Sequence, residues 1–183
     1  MPISSPPAGI VLAAGSGTRF GGPKAPYPFQ GQRLVDRAIS LLHTAGVTPI
    51  VVVLGAWVDE IPGCTVVINE DHASGMGSSL RAGLAYLSEH QVDAPSALIT
   101  LVDLPHLQPS SITEVMDSPA ELVQACYHGT PGHPVKIGAH HWDALIADLS
   151  GDTGAKKYLQ AHHAVMLEID DPGIIADLDE QPA

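Results

Sequence analysis

Basic side chains are scarce: eight Lys plus Arg face twenty Asp plus Glu, for a net charge of −12 with histidine neutral. A field of that sign repels a phosphate backbone, which argues against a nucleic-acid partner and leaves only a small anion in a local pocket. Cysteine is nearly absent. Cys64 and Cys126 stand apart without CxxC spacing, so there is no disulfide framework and both thiols are expected in the core. Aromatics are 4% of the chain, so Val, Ile, Leu and Ala must fill most of the interior. No apolar run approaches the roughly 18 to 20 residues of a membrane span. "MPISSPPAG" has neither the basic start nor the apolar centre of a secretion signal, so the expectation is no membrane partner and, by default, a cytoplasmic location.

The 183 residues contain 45% hydrophobic side chains, enough for a substantial core and fitting one domain over 1–183. Ile10 to Ala14 reads as a first strand. "RLVDRAISLLHTAGV" puts Leu34, Val35, Ala38, Ile39 and Leu42 at helical spacing, with Gly46 as a stop. "PIVVVLGA" and "TVVIN" read as strands buried on both faces, as in a parallel sheet covered by helices. A helix from near Gly77 carries Leu80, Leu84 and Leu87 inward, "SALITLVD" is another buried strand, and "PSSITEVMDS" is a short helix with Pro109 near its start. This alternation predicts an α/β fold: an open, mostly parallel sheet with helices on both faces. From "ELVQACY" the rhythm changes to a turn and short strand, two short helices and a late strand. Residues after about Glu121 are therefore expected to complete the site and one edge.

The stretch "GIVLAAGSGTRFGGPKAP" places bare backbone and two cations, Arg19 and Lys24, directly after the first strand. Exposed N–H groups and positive charge at that point suit a phosphate. The spacing is not GxxxxGK[ST], since Ala25 follows Lys24, and Gly15-Ser16-Gly17 lacks the third glycine of a dinucleotide fingerprint. "VDLPH" also follows a strand. Asp103 would emerge there at the rim of the sheet, either to hold a metal ion or to cap a turn before Pro105. The glycines of "GMGSSL" suit either close approach of a base and ribose or a plain helix entrance, whose amino end favours anions. Arg81 behind them faces either solvent or phosphate. Histidines 140, 141, 162 and 163 form adjacent pairs without zinc-ligand spacing.

"LAAGSGTRFGGPK" resembles the signature of nucleotidyltransferases that release pyrophosphate, written LAAGxSxRMGxxK in the molybdenum-cofactor cytidylyltransferases and their relatives. Gly17 stands where Ser is common, and Phe20 where Met is. The "GMGSSL" segment, "VDLPH", "GHPV" and "GDTGAKKYL" resemble further motifs of that family in the same order, from Gly9 to Leu159.

The resemblance implies a Rossmann-like nucleotidyltransferase fold and transfer of CMP from CTP to a molybdopterin-type phosphate. Leu12, Ala13, Ala14, Gly15, Gly17, Arg19, Lys24, Gly75, Gly77, Ser78 and Arg81 would bind nucleotide. Lys24 and Asp103 would serve catalysis, with Asp103 holding Mg²⁺. Gly132, His133, Pro134, Asp152 and Gly154 would shape the acceptor side, where His133 either bonds the acceptor, assists deprotonation near neutral pH, or is structural. Asp152 could instead cap the helix carrying Tyr158. A second metal ligand is sought in Asp177 or Asp179. LAAG rather than LAGG favours CTP over GTP, because the methyl of Ala14 crowds a purine. Alternatives are a guanylyl- or sugar-nucleotide transferase, or a non-catalytic protein that presents a cofactor to a molybdoenzyme partner.

Overall fold

The computed structural model describes residues 5–171. Its first strand, β1 (Ala8–Leu12), pairs in parallel with β4 (Ile50–Leu54) on one side and β6 (Ser96–Leu101) on the other. Side chains alternate along β1. Ala8, Ile10 and Leu12 enter one core layer and Val11 the other, so both faces of the strand are buried. The same holds for β4, whose five residues are all buried, and this two-sided burial is why the strands read as unbroken apolar runs.

Helix α1 (Leu34–Thr44) buries the five positions given by its spacing, Leu34, Val35, Ala38, Ile39 and Leu42. With α3 (Pro109–Asp117) it covers one face of the sheet. Helix α2 (Met76–Glu89), with α4 (Trp142–Asp148) and α5 (Lys156–Ala161), covers the other, through Leu80, Leu84, Leu87, Trp142, Leu145 and Tyr158. A small hairpin of β2 (Pro28–Phe29) and β3 (Gln32–Arg33) lies between the glycine loop and α1.

The sheet has seven strands in the order β5-β4-β1-β6-β8-β7-β9. β5 (Thr65–Ile68) differs from expectation. It is an edge strand with Ile68 exposed, because nothing among the described residues pairs beyond it. After β5, α2 carries the chain back over β4 and β1 to β6. β8 (Thr130–Gly138) is nine residues long, longer than a short strand, and runs antiparallel between β6 and β7 (Leu122–Tyr127). β9 (Val165–Glu168) pairs in parallel outside β7. The chain thus leaves β1 toward β4 and returns on its far side at β6, which opens a crevice at the carboxyl ends of those two strands.

Candidate active site

Ala13 and Ala14 continue the sheet beyond β1: Ala13 N donates to Val53 O at 3.0 Å, and Ala14 O accepts from Ala56 N at 3.1 Å. From Gly15 the ladder stops. Among the described residues nothing accepts from the N–H groups of Gly15, Ser16 or Gly17, and all three residues line a cleft of about 470 Å³ at the crevice. The loop then closes on itself, with Gly21 and Gly22 N–H donating to Gly17 O at 2.9 and 3.0 Å. Gly17 sits at φ +58°, and a Cβ there would strike the Gly22 carbonyl, so this loop admits no serine at that position. Phe20 is buried under the loop, edge-on to Tyr27 at 4.8 Å, and anchors it.

Lys24 and Asp103 meet across the crevice. Lys24 Nζ donates to Asp103 Oδ2 at 2.8 Å, with side-chain exposures of 15% and 20%. Two chain segments 79 residues apart are joined there, one following β1 and the other following β6. Leu12 O accepts from Val102 N at 3.2 Å and holds the second segment beside the first. Among the described residues no group of three or more His, Cys, Asp or Glu forms a metal cage. A single hard carboxylate at the rim instead fits a divalent ion of the magnesium type, which takes one or two protein carboxylates and completes its shell with phosphate oxygens and water.

The amino end of α2 is already used. Met76 N donates to Asp152 Oδ1 at 3.3 Å, Gly77 N to Gly151 O at 3.1 Å, and Ser78 N to Gly75 O at 3.2 Å. Gly75, at φ +120°, lies so close to Asp152 that a Cβ would collide with its carboxylate, and a Cβ on Gly77 would fall 2.6 Å from Gly151 O. The Gly151–Asp152 loop therefore presses on the start of α2, and a carboxylate occupies the positive end where an anion was expected. Asp152 caps α2, not the helix carrying Tyr158, whose N-cap is Ala155. It lines the same cleft as Gly15 and Gly75, whereas the motif resemblance assigned it to the acceptor side with Gly132 to Pro134, none of which lines that cleft. Gly154 follows in that same loop, at φ +50°.

Ser78 knits the loop before α2. Its hydroxyl accepts from Asn69 Nδ2 at 2.8 Å and sits within hydrogen-bonding reach of Asp71 O and Gly75 O. The cleft wall there is built from His72, Ala73, Met76 and Ser79, none of which the sequence singled out. His72 and Ala73 lie between β5 and α2, where no periodicity applies, and Met76 and Ser79 lie in the first turn of α2, within the "GMGSS" segment that signalled the place. Arg81 is exposed on α2 and Arg19 is exposed on the glycine loop; neither lines the cleft. Asp177 and Asp179 lie outside the described residues.

Gly132, His133 and Pro134 lie on β8. β8 pairs with β6 up to Ile99–Val135, and beyond that pair His133 comes close enough to Asp103 to feel its charge. Tyr127 Oη donates to His133 O at 2.7 Å, and a Cβ on Gly132 would sit 3.0 Å from the Tyr127 ring. Burial pulls the His133 imidazole down to about 4, only partly opposed by the charge of Asp103. It is therefore neutral near pH 7, able to give or take a hydrogen bond but not to titrate there as a base.

Comparison with known proteins gives this geometry a context. Residues 9–165 match the MobA-like NTP transferase domain. A curated relative from Paenarthrobacter nicotinovorans, named nicotine blue oxidoreductase, is 34% identical over 172 residues, covering 83% of this chain and 80% of its own. The molybdenum cofactor guanylyltransferase of Rhodobacter capsulatus is 28% identical over 146 residues, covering 76% and 67%. The solved structure of Rv0371c from Mycobacterium tuberculosis H37Rv superposes with a TM-score of 0.76 at 26% identity, covering 91% of this chain and 88% of that one. Its manganese complex gives 0.72 at 25% identity, covering 90% and 88%.

Two tests follow from the geometry. Asp152→Ala, which leaves Met76 N without its side-chain acceptor, is expected to lower stability by about 0.5–2 kcal/mol in urea denaturation, whereas Asp152→Asn keeps an acceptor oxygen and loses clearly less. For His133 the folded value of about 4 lies below the ordinary 6.5. Between those values the unfolded chain binds the proton and the folded one does not, so the stability from this group is complete above pH 6.5 and falls as pH drops toward 4. Melting curves of wild type and His133→Gln from pH 7 to 4 should show the wild type losing Tm more steeply; parallel curves would contradict the buried neutral imidazole.

Proposed function

The chain belongs to the MobA-like NTP transferase family, and on that premise we propose that it transfers CMP from CTP to the phosphate of a molybdopterin-type acceptor, releasing pyrophosphate. The observation that carries this reading is the Lys24–Asp103 pair, set beside the unpaired N–H groups of Gly15 to Gly17 at the crevice. A triphosphate needs donors and positive charge, and both are found there. The capped amino end of α2 favours the opposite polarity: a carboxylate at Asp152 repels phosphate and leaves the Gly75–Ser79 side to the base and ribose.

The nucleotide would then lie across the sheet's rim, with its base toward α2 and β4, its phosphates over the loop after β1, and its α-phosphorus facing β6. Asp103 would hold the divalent ion, Mg²⁺ or Mn²⁺, which supplies charge relief for the departing pyrophosphate. Lys24 would move its ammonium from Asp103 to a phosphate oxygen of the bound nucleotide. Gly132 to Pro134, with the rest of the chain after about residue 121, would form the acceptor side of a single transferase domain over 1–183. There a neutral His133 orients the acceptor phosphate, which attacks in line, so no covalent enzyme intermediate is needed. Ala14 in place of glycine favours CTP by the motif resemblance; the residue borders the cleft while its side chain belongs to the core layer behind it. A cytoplasmic site of action accords with an acceptor made for intracellular enzymes, and a molybdoenzyme is the partner class that would receive the product.

One observation favours a second reading. The relative at 34% identity is named an oxidoreductase, so the same cleft could hold an electron donor and an oxidised substrate, with no pyrophosphate released.

The deciding assay measures pyrophosphate from CTP and from GTP with molybdenum-loaded molybdopterin and Mg²⁺ or Mn²⁺, beside Asp103→Ala and Lys24→Ala. The expected result is CTP-selective release that falls by on the order of 10²-fold or more in Asp103→Ala, with a raised CTP KM and lowered kcat in Lys24→Ala. GTP-selective release overturns the base assignment. No release, together with oxidation of an added reduced nicotinamide or flavin dinucleotide coupled to two-electron reduction of an added oxidised organic dye, overturns the transfer reading itself.

A further inference from the structure

Behind the Lys24–Asp103 pair, on the side away from the cleft, the same two segments meet a second time. Lys24 leads within five residues to Phe29 on β2, and Asp103 leads within three to His106. Phe29 and His106 pack edge to face, with ring centroids 5.4 Å apart at 85°. Arg37, one turn into α1, joins them. Its Nη2 donates to Pro105 O at 3.1 Å, and its guanidinium carbon lies 5.3 Å from the Phe29 ring centroid. Its Nε is shut off from solvent and has no acceptor.

A buried N–H with no acceptor is destabilising, so a side chain chosen for stability alone would not be expected to leave one. The planar guanidinium does two things at once that a lysine cannot: it presents a face to an aromatic ring and an edge to a carbonyl. The two segments are thus tied front and back, by an ion pair at the cleft and by Arg37 with its two rings behind it.

We propose that Arg37 is a positioning residue that fixes the approach of Lys24 to Asp103, and that Phe29 and His106 are the surfaces through which it acts. Arg37 does not line the cleft. It acts by holding the Pro105 carbonyl, two residues beyond Asp103, at a set distance from the hairpin that continues the Lys24 loop. The purpose of that approach, charge placed for a nucleotide and its metal ion, rests on the proposed function; the clamp itself does not.

The test reads the pair directly. Wild type, Arg37→Lys, Phe29→Leu and Asp103→Asn are acetylated in limiting reagent without nucleotide, and modification of Lys24 is followed by mass spectrometry, with exposed Lys156 and Lys157 as internal references. An ammonium held at 2.8 Å by a carboxylate reacts slowly. Asp103→Asn is expected to raise the Lys24 rate several-fold relative to the references, with Arg37→Lys and Phe29→Leu each raising it at least twofold toward that level while far-ultraviolet circular dichroism stays unchanged. A second readout is Mn²⁺ affinity measured with a non-hydrolysable CTP analogue by electron paramagnetic resonance, where Arg37→Lys should weaken binding about tenfold. Lys24 rates in Arg37→Lys and Phe29→Leu equal to wild type overturn the proposal, as does a Lys24 rate indifferent to Asp103→Asn. Rates that rise as expected with unchanged Mn²⁺ affinity uphold the clamp and count against the metal role of Asp103 instead.

Discussion

Everything at the crevice depends on β1 being paired in parallel on both sides. β4 and β6 lie against it in register, so the chain arrives at one rim three times, after Leu12, after Leu54 and after Leu101. The strands place Lys24 and Asp103 within hydrogen-bonding distance despite their separation along the chain. A change that loosened β1 would move both charges, and burial of its alternating side chains in two core layers is what prevents that.

The ion pair adds little to the stability of the fold. Its side chains are largely withdrawn from solvent, so desolvation of the two charges offsets much of their attraction. Its importance lies in what two opposite charges at the rim can do when a ligand arrives with charges of its own. On the proposed function, phosphates would compete for Lys24 and a cation for Asp103, so a nucleotide–metal complex would replace both halves of the contact together, and joint binding would be favoured over either component alone.

Much of the fold was legible from the sequence, because its elements bury faces with clear periods. The inward stripe of α1 and the two-faced runs of β1, β4 and β6 follow from spacing alone. β5 misled, since Thr65–Ile68 is as β-branched as β4 and nothing local says that it ends the sheet. The cleft was legible where one segment carries an unusual run of residues, as at the glycine loop and at Asp103 before Leu104-Pro105, both of which line it. It was not legible where segments meet from far apart. Asp152 reaches Met76 across 76 positions, and Arg37 reaches Pro105 across 68. The segment "GDTGAKKYL" marked Asp152 but not its contact with Met76, and no local pattern marks Arg37, since an arginine on an amphipathic helix is ordinary.

The glycines of the resembled motifs separate into two physical roles on this structure. Gly15 has open space around its α-carbon, so no packing contact in the described structure requires glycine there. Gly17, Gly75 and Gly77 have no such space: a Cβ on Gly17 would meet the Gly22 carbonyl of its own loop, and on Gly75 or Gly77 a carboxylate or carbonyl of the Gly151–Asp152 loop. Their missing side chains set how tightly the wall closes, and two of them fix Asp152 on α2. A glycine-rich signature is therefore partly a record of contacts made to it from elsewhere in the chain. It follows that glycine rather than serine at position 17 suits the way this loop closes on Gly22.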